Sequence, residues 1–254
     1  MRREAAVPAG ADPGTRGAPA RALPPDGEAH LWLVDLASDD RTRGACRAVL
    51  SEGERAREER FRSADDAARF VTAHGHLRCI LGLYAGAAAS RLVFSLSPFG
   101  KPSLDGPEAG RGIRFNMSDA GDLALVAVTR DREIGVDIER IDARPDLESL
   151  AVRCFCPAER GMMSEAPVRE RPGVFTTLWA RKEAYIKGRG EGMSLDLRAI
   201  DVSRAPAVLD GRWRIDDLGA PAGYRSALAV DGGSGRFTQY APAESAGALF
   251  NREQ

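Results

Sequence analysis

A chain of 254 residues with net charge −1, 43% hydrophobic and 29% charged residues, has room for a real core and exerts no global pull toward nucleic acid or an anionic membrane. No apolar run reaches the length of a membrane span and the N-terminus lacks a signal-peptide core, so a cytoplasmic location is expected. The four cysteines (Cys46, Cys79, Cys154, Cys156) show neither CxxC pairing nor zinc-ligand spacing, and idle thiols in a reducing compartment are expected of them.

Residues 1–28 are mostly Ala, Pro, Gly and Arg with almost no large apolar side chain, which predicts a disordered N-terminal extension. His30 to Leu36 then reads as a first strand. Leu50 to Arg62 reads as helix, with Ser51 as N-cap and Glu54 as its capping-box partner. Asp65 to Tyr84 continues as helix, its apolar face made by Phe70, Val71, Leu77, Ile80 and Leu81. Phe94 to Asp105, with two prolines and Gly100, reads as loop. Phe115 to Ser118 and Leu123 to Val128 read as strands about a turn at Asp119 to Asp122. After a second turn at Thr129 to Arg132, Ile134 to Arg140 reads as a strand forming an antiparallel hairpin with Leu123 to Val128.

Phe175 to Lys187 contains no Gly or Pro and predicts a helix, punctuated by Pro172 and Gly173 before it and capped by Gly188. Phe175, Leu178, Lys182 and Ile186 fall on one side of it, and Trp179, Glu183 and Lys187 form a second stripe. Strand signals recur at Ile200 to Ser203, Arg212 to Leu218 and Tyr224 to Val230, and residues 241–254 read as a frayed tail.

The second half echoes the first. Val34-Asp35-Leu36 answers Val136-Asp137-Ile138, and Leu50 to Arg55 answers Phe155 to Arg160. Sixteen residues separate Glu54 from Phe70, and sixteen separate Glu159 from Phe175, a register that sets Arg78 opposite Glu183. Matched blocks in order predict an α+β fold of two similar α/β halves, residues 29–130 and 131–240.

Of 36 basic residues only three are lysine: Lys101, Lys182 and Lys187. A chain that uses arginine for ordinary surface charge keeps lysine where a compact ammonium matters, as at a phosphate. On the strand Ile134 to Arg140, Gly135, Asp137 and Glu139 share one face, with carboxylates roughly 7 Å apart at the backbone. Such a pair repels unless a cation lies between, and Mg²⁺ is a natural one; an exposed strand edge kept soluble by charge is the other reading. Glu183 and Lys187, one helical turn apart, fit either a surface ion pair or the remaining parts of a phosphoryl-transfer site.

Gly135-Val136-Asp137-Ile138-Glu139 followed by Trp179-Ala180-Arg181-Lys182-Glu183-Ala184-Tyr185-Ile186-Lys187 resembles the two signatures of the 4′-phosphopantetheinyl transferases. Gly100-Lys101-Pro102, Phe115-Asn116-Met117-Ser118 and Gly190 to Leu195 extend the likeness over residues 30–230. Length and duplication resemble the surfactin-type class, in which the active site lies between two halves of one monomer. The resemblance implies transfer of the phosphopantetheine arm of coenzyme A to a serine of an acyl or peptidyl carrier protein, with release of adenosine 3′,5′-bisphosphate. It implies Asp137, Glu139 and Glu183 as Mg²⁺ ligands, Glu183 also as the base for the carrier serine, directly or through water, and Lys187 as the cation at the leaving phosphate. It further implies Lys101, Lys182 and Ser118 as coenzyme A contacts, with Arg57 and Arg69 as cations for its 3′-phosphate. All three lysines thus fall on family motifs.

One residue departs from the pattern. After Phe-Asn-x-Ser the family usually has His, whereas here Asp119 stands. Either it faces the phosphates and weakens binding, or works through a water or cation, or turns away and holds its own turn by bonding the amides of Gly121 or Asp122. A non-catalytic coenzyme A-binding homologue is the alternative function; a phosphohydrolase is a poorer one, lacking a dedicated water-activating group.

Overall fold

In the computed structural model, described here for residues 21–144, 146–192 and 195–240, the fold is mixed α+β. In chain order the elements are strand β1 (Glu28–Asp35), helices α1 (Asp40–Val49), α2 (Glu52–Glu58) and α3 (Ala64–Ala85), and strands β2 (Val93–Leu96), β3 (Pro102–Asp105), β4 (Ile113–Ala120), β5 (Leu123–Arg130) and β6 (Ile134–Arg140). Helices α4 (Leu147–Cys154), α5 (Pro157–Glu165) and α6 (Arg171–Arg189) follow, then strands β7 (Ala207–Leu209), β8 (Trp213–Leu218), β9 (Tyr224–Asp231) and β10 (Arg236–Tyr240). None of the described helices is long and apolar enough to cross a membrane. The cysteines are free thiols.

Helix boundaries follow local chemistry. Ser51 caps α2, its Oγ accepting from Glu54 N at 3.2 Å while Glu54 Oε2 accepts from Ser51 N at 2.8 Å. Gly86 and Gly190 close α3 and α6 in the left-handed conformation, so the glycine cap of α6 lies two residues beyond the expected Gly188.

The strands form two four-stranded sheets, ordered β10-β1-β5-β4 and β6-β9-β8-β7, plus the small hairpin β2-β3. Alternation explains how they stack. Trp32, Val34, Val126 and Val128 face α3, while Leu31, Leu33, Leu125 and Ala127 face Ile134, Val136, Ile138 and Leu228 of the other sheet. On the far side of that second sheet, Ile215, Ala227 and Ala229 pack under Leu178, Ala184 and Tyr185 of α6. The layers therefore run α3, first sheet, second sheet, α6.

Three expectations are corrected. The stretch 94–105 is no loop: β2 and β3 pair antiparallel around a turn in which Ser97 N donates to Lys101 O at 2.9 Å. β5 and β6 form no hairpin, because β5 pairs with β1 and β4 whereas β6 pairs with β9. Asp131, at φ 53°, marks the turn that carries the chain from one sheet to the other. Finally, the part of the expected disordered extension that is described is packed: Arg21 N donates to Leu83 O at 2.6 Å and its guanidinium lies 4.2 Å from the Tyr240 ring centroid. Residues 1–20 of that extension, and the expected frayed tail at 241–254, lie outside the described residues.

β10 adds a feature that strand signals did not give. It comes from the end of the chain yet pairs in parallel with β1, so the last strand returns to the first sheet.

Candidate active site

The site forms where edge strands of the two sheets, β4 and β6, meet under α6. Asn116 Oδ1 accepts from Val136 N at 2.9 Å, stitching the edges together. Gly135 is the closest point between β6 and α6: a Cβ there would lie 2.0 Å from Ala184 O and 2.2 Å from Gly188 N. What the missing side chain admits at this position is the helix backbone. The close approach presses the stripe Trp179, Glu183, Lys187 onto the carboxylate face of β6. Lys187 Nζ reaches Asp137 Oδ1 at 2.5 Å and Trp179 Nε1 donates to Glu139 Oε1 at 3.2 Å.

Asp137 is 1% exposed. Its Oδ1 accepts from both Lys187 and Ser118 Oγ, the latter at 2.8 Å, while Lys187 Nζ also donates to Ser118 Oγ at 2.8 Å. Its Oδ2 is the one buried side-chain polar atom among the described residues without a hydrogen-bond partner. Burial pushes the Asp137 carboxyl above its ordinary range against the pull of Lys187. Burial, aided by the negative charge of Asp137, pushes Glu139 up to about 7. Glu183 is raised for the same reason, with Lys187 opposing. Three carboxylates with raised proton affinity and one unsatisfied buried oxygen describe a site short of positive charge, which is what a hard divalent cation supplies. The residues present therefore fit Mg²⁺. They are not collapsed onto one point: among the described residues, the trio of acidic and thiol ligand atoms within 4.8 Å of one another is Cys156, Glu159 and Asp201 instead. There Glu159 is already occupied by Lys182 and by the amides of Cys156 and Val202.

Beside these groups opens a cleft of about 820 Å³ lined from both halves of the chain. Arg57, Arg69, His74 and Asp119 stand on one wall, and Glu139, Leu147, Phe175 and Trp179 on the other. Arg57 is held 4.9 Å from the centroid of the Phe70 ring, and Arg69 reaches Asp66 and Asp122 at 3.1 Å each. Asp119 is exposed on β4, paired in the ladder with Ala124. Strand alternation sets it on the face opposite Ser118, toward α3. The turn begins only at Gly121, and the Asp119 carboxylate accepts no hydrogen bond from the Gly121 or Asp122 amide among the described residues. His74, unassigned from sequence, lines the same wall with Nδ1 3.4 Å from Glu54 Oε1.

Two expected coenzyme A contacts lie elsewhere. Lys182 is fully buried: Nζ donates to Leu197 O at 2.7 Å and Ile200 O at 2.5 Å and pairs with Glu159 at 2.9 Å. An ammonium so committed cannot meet a ligand. Its place in the apolar stripe with Leu178 and Ile186 was the sequence signal for this. Lys101 sits at the C-terminal end of α6, donating to Gly188 O at 2.6 Å and Glu133 Oε2 at 2.5 Å, in a separate cleft with Arg114 and Arg189. Ser118 is at the site, engaged with Asp137 and Lys187.

The sequence profile of the 4′-phosphopantetheinyl transferase superfamily matches residues 133–219, the segment from β6 through β8 that contains Asp137, Glu139, Glu183 and Lys187. The chain is 37% identical over 179 residues to 4′-phosphopantetheinyl transferase HetI of Nostoc sp. strain PCC 7120, covering 70% of this chain and 75% of that protein. It is 34% identical to the putative 4′-phosphopantetheinyl transferase slr0495 of Synechocystis sp. strain PCC 6803, over 60% of this chain and 62% of that one. To 4′-phosphopantetheinyl transferase Sfp of Bacillus subtilis strain 168 it is 30% identical, over 61% and 66%. Identity sustained across three quarters of a relative, and a profile match centred on the strand and helix that build the carboxylate site, place this chain in the 4′-phosphopantetheinyl transferase superfamily.

Proposed function

We propose that this transferase moves the 4′-phosphopantetheine group of coenzyme A to a serine of an acyl or peptidyl carrier protein, with Mg²⁺ at Asp137, Glu139 and Glu183. The observation that carries the reading is Asp137 Oδ2, buried, unpartnered and held beside Lys187, two residues along the strand from Glu139 on the cleft wall. Bound there, Mg²⁺ supplies positive charge that neutralises and orients the pyrophosphate. The chain's own residues do the rest. Glu183, whose proton affinity is raised by burial, takes the proton of the carrier serine, directly or through water. The serine oxygen attacks the phosphorus bearing the pantetheine arm, and the bond from that phosphorus to the oxygen of the nucleotide breaks. Adenosine 3′,5′-bisphosphate leaves, and Lys187, held between Asp137 Oδ1 and Ser118 Oγ, neutralises the departing phosphate. Arg57 and Arg69 on the opposite wall suit the 3′-phosphate.

In this reading the protein works as a monomer in the cytoplasm, and its two halves are copies of one α/β unit. Support for duplication is a shared buried ion pair. Arg78 bonds Glu54 at 2.6 Å and the carbonyls of Ala89 and Leu92; Lys182 bonds Glu159 at 2.9 Å and the carbonyls of Leu197 and Ile200. Each glutamate is the third residue of its helix and closes a capping box. The register is thus one residue off the expected one, with Arg78 answering Lys182 and not Glu183.

Incubation with coenzyme A, Mg²⁺ and an apo carrier protein, followed by mass spectrometry of the carrier, tests the function. A gain of one phosphopantetheine arm is expected. An unmodified carrier beside measurable coenzyme A binding would return the protein to a non-catalytic binding role.

A further inference from the structure

Each proposed cation ligand on β6 has one oxygen held by the protein and one left open. Asp137 Oδ1 is taken by Ser118 and Lys187, leaving Oδ2 unpartnered and buried. Glu139 Oε1 is taken by the indole N–H of Trp179 at 3.2 Å, and no bond to Oε2 is formed among the described residues. Trp179 is itself fixed. It lies one helical turn after Phe175, the two rings stacked at 6.3 Å between centroids and 14° between planes. It is half-buried, lining the cleft beside Glu139.

We infer that Trp179 is a positioning residue for the divalent cation: its indole N–H fixes the Glu139 carboxylate so that the free oxygen faces the open oxygen of Asp137. The inference rests on the metal assignment proposed above and adds to it a role for the first residue of the Trp179, Glu183, Lys187 stripe. The physical reason is directional. Glu139 is the last residue but one of β6, at an exposed strand end, with three rotatable side-chain bonds. Left alone, two like-charged carboxylates on one strand face splay apart. A neutral donor can hold Glu139 in place without satisfying its charge, so a demand for a cation remains. An arginine or lysine at position 179 would instead remove that demand. Indole suits the task because it donates one hydrogen bond, accepts none, and is oriented by ring stacking.

The test uses Mn²⁺ as the probe, titrated into the full chain without coenzyme A and followed by the electron paramagnetic resonance signal of free Mn²⁺. Trp179→Phe keeps an aromatic ring over Phe175 and deletes the N–H. It is expected to weaken Mn²⁺ binding about tenfold, the scale on which removal of an outer-shell hydrogen bond acts, with the melting temperature of the metal-free protein unchanged. Trp179→His, which restores a ring N–H donor, is expected to recover most of that loss. Asp137→Ala is the reference for complete loss. Unchanged Mn²⁺ affinity in Trp179→Phe overturns the inference while leaving the metal site standing. Equal loss in the Phe and His variants overturns it too, since the N–H would then not be the cause. A wild-type protein that binds no Mn²⁺ sinks the metal assignment and this inference with it.

Discussion

Helices α3 and α6 make the same buried contact and do different things. Arg78 in α3 and Lys182 in α6 are 2% and 0% exposed, and each is neutralised by a capping-box glutamate and two carbonyls of a following 3-10 turn. One residue further on, α3 has Cys79 where α6 has Glu183; five further, Leu83 where α6 has Lys187. The strand that answers β6 likewise ends on the exposed Asp35, whose carboxylate only caps Ala37 N at 2.9 Å, whereas Asp137 is buried under Lys187. Both helices are held by the same kind of buried ion pair, and under the duplication proposed above the site residues stand on only one of them. The frame cation and the site cation are therefore distinct residues on α6, five positions apart on different faces of the helix.

The comparison breaks most completely at Asp137. Asp137→Ala is expected to lower transfer by at least a thousandfold, about 4 kcal/mol on the barrier, while the far-ultraviolet circular dichroism spectrum stays native. Near-normal turnover would show that the open oxygen holds nothing of consequence.

Next in size is the frame. Lys182→Met leaves Glu159 buried with only the amides of Cys156 and Val202 as partners, and leaves two carbonyls without a donor. Breaking a fully buried pair in this way costs about 3–5 kcal/mol, to be read from denaturant unfolding. Arg78→Met should cost less, because Glu54 is 15% exposed and Ser51 still donates to it. If Lys182→Met is as stable as wild type but has lost coenzyme A affinity, Lys182 is a ligand contact after all.

Lys187→Arg sharpens the distinction between the two cations. The planar fork cannot reproduce a point contact shared by Asp137 and Ser118, so the rate should fall at least tenfold, about 1.4 kcal/mol, with melting temperature nearly unchanged. Full activity would make Lys187 a surface cation like any other.

Asp119→His should lower the Michaelis constant for coenzyme A by up to about tenfold, or 1.4 kcal/mol, with little effect on the chemical step. The residue is exposed on the cleft wall and bonds no amide of its turn, so thermal stability should hold. A drop in melting temperature with an unchanged Michaelis constant would defeat this.

Last comes the pH dependence of the metal-free protein. Glu139 is raised from 4.5 to about 7, so the folded state holds a proton that the unfolded chain has released between those values. Its contribution to stability is complete below the unfolded value and is lost as pH rises through about 7, so melting temperature should decline between about pH 5 and 8. Glu139→Gln should flatten the decline, as should saturating Mn²⁺. A wild-type profile rising with pH over that range would show other groups in control.

The periodic parts of the fold were legible in the chain. Ser51 and Glu54 announced a capping box, the 3.6-residue pattern gave α3 and α6, and alternation assigned Gly135, Asp137 and Glu139 to one face of β6. Pairing was not legible. Leu123 to Arg130 and Ile134 to Arg140 look like a hairpin because a short turn joins them, yet Leu125 and Ala127 of the first pack face to face on Ile134, Val136 and Ile138 of the second, as strands stacked in different sheets do. The 94–105 hairpin was hidden by prolines that a small edge sheet tolerates.

By itself the sequence determined what depends on neighbours along the chain: caps, helix faces, the alternation of β6, and the motif pair that marks the superfamily. Even the burial of Lys182 was written in its apolar stripe. Only the tertiary structure decided which oxygen of Asp137 is held and which is open, that Gly135 faces a helix and not a ligand, and that Trp179 meets Glu139 across forty residues. The reason is that these depend on how closely α6 approaches β6 and where edge strands β4 and β6 meet. Those distances are set by packing between elements remote in sequence, for which local periodicity carries no term.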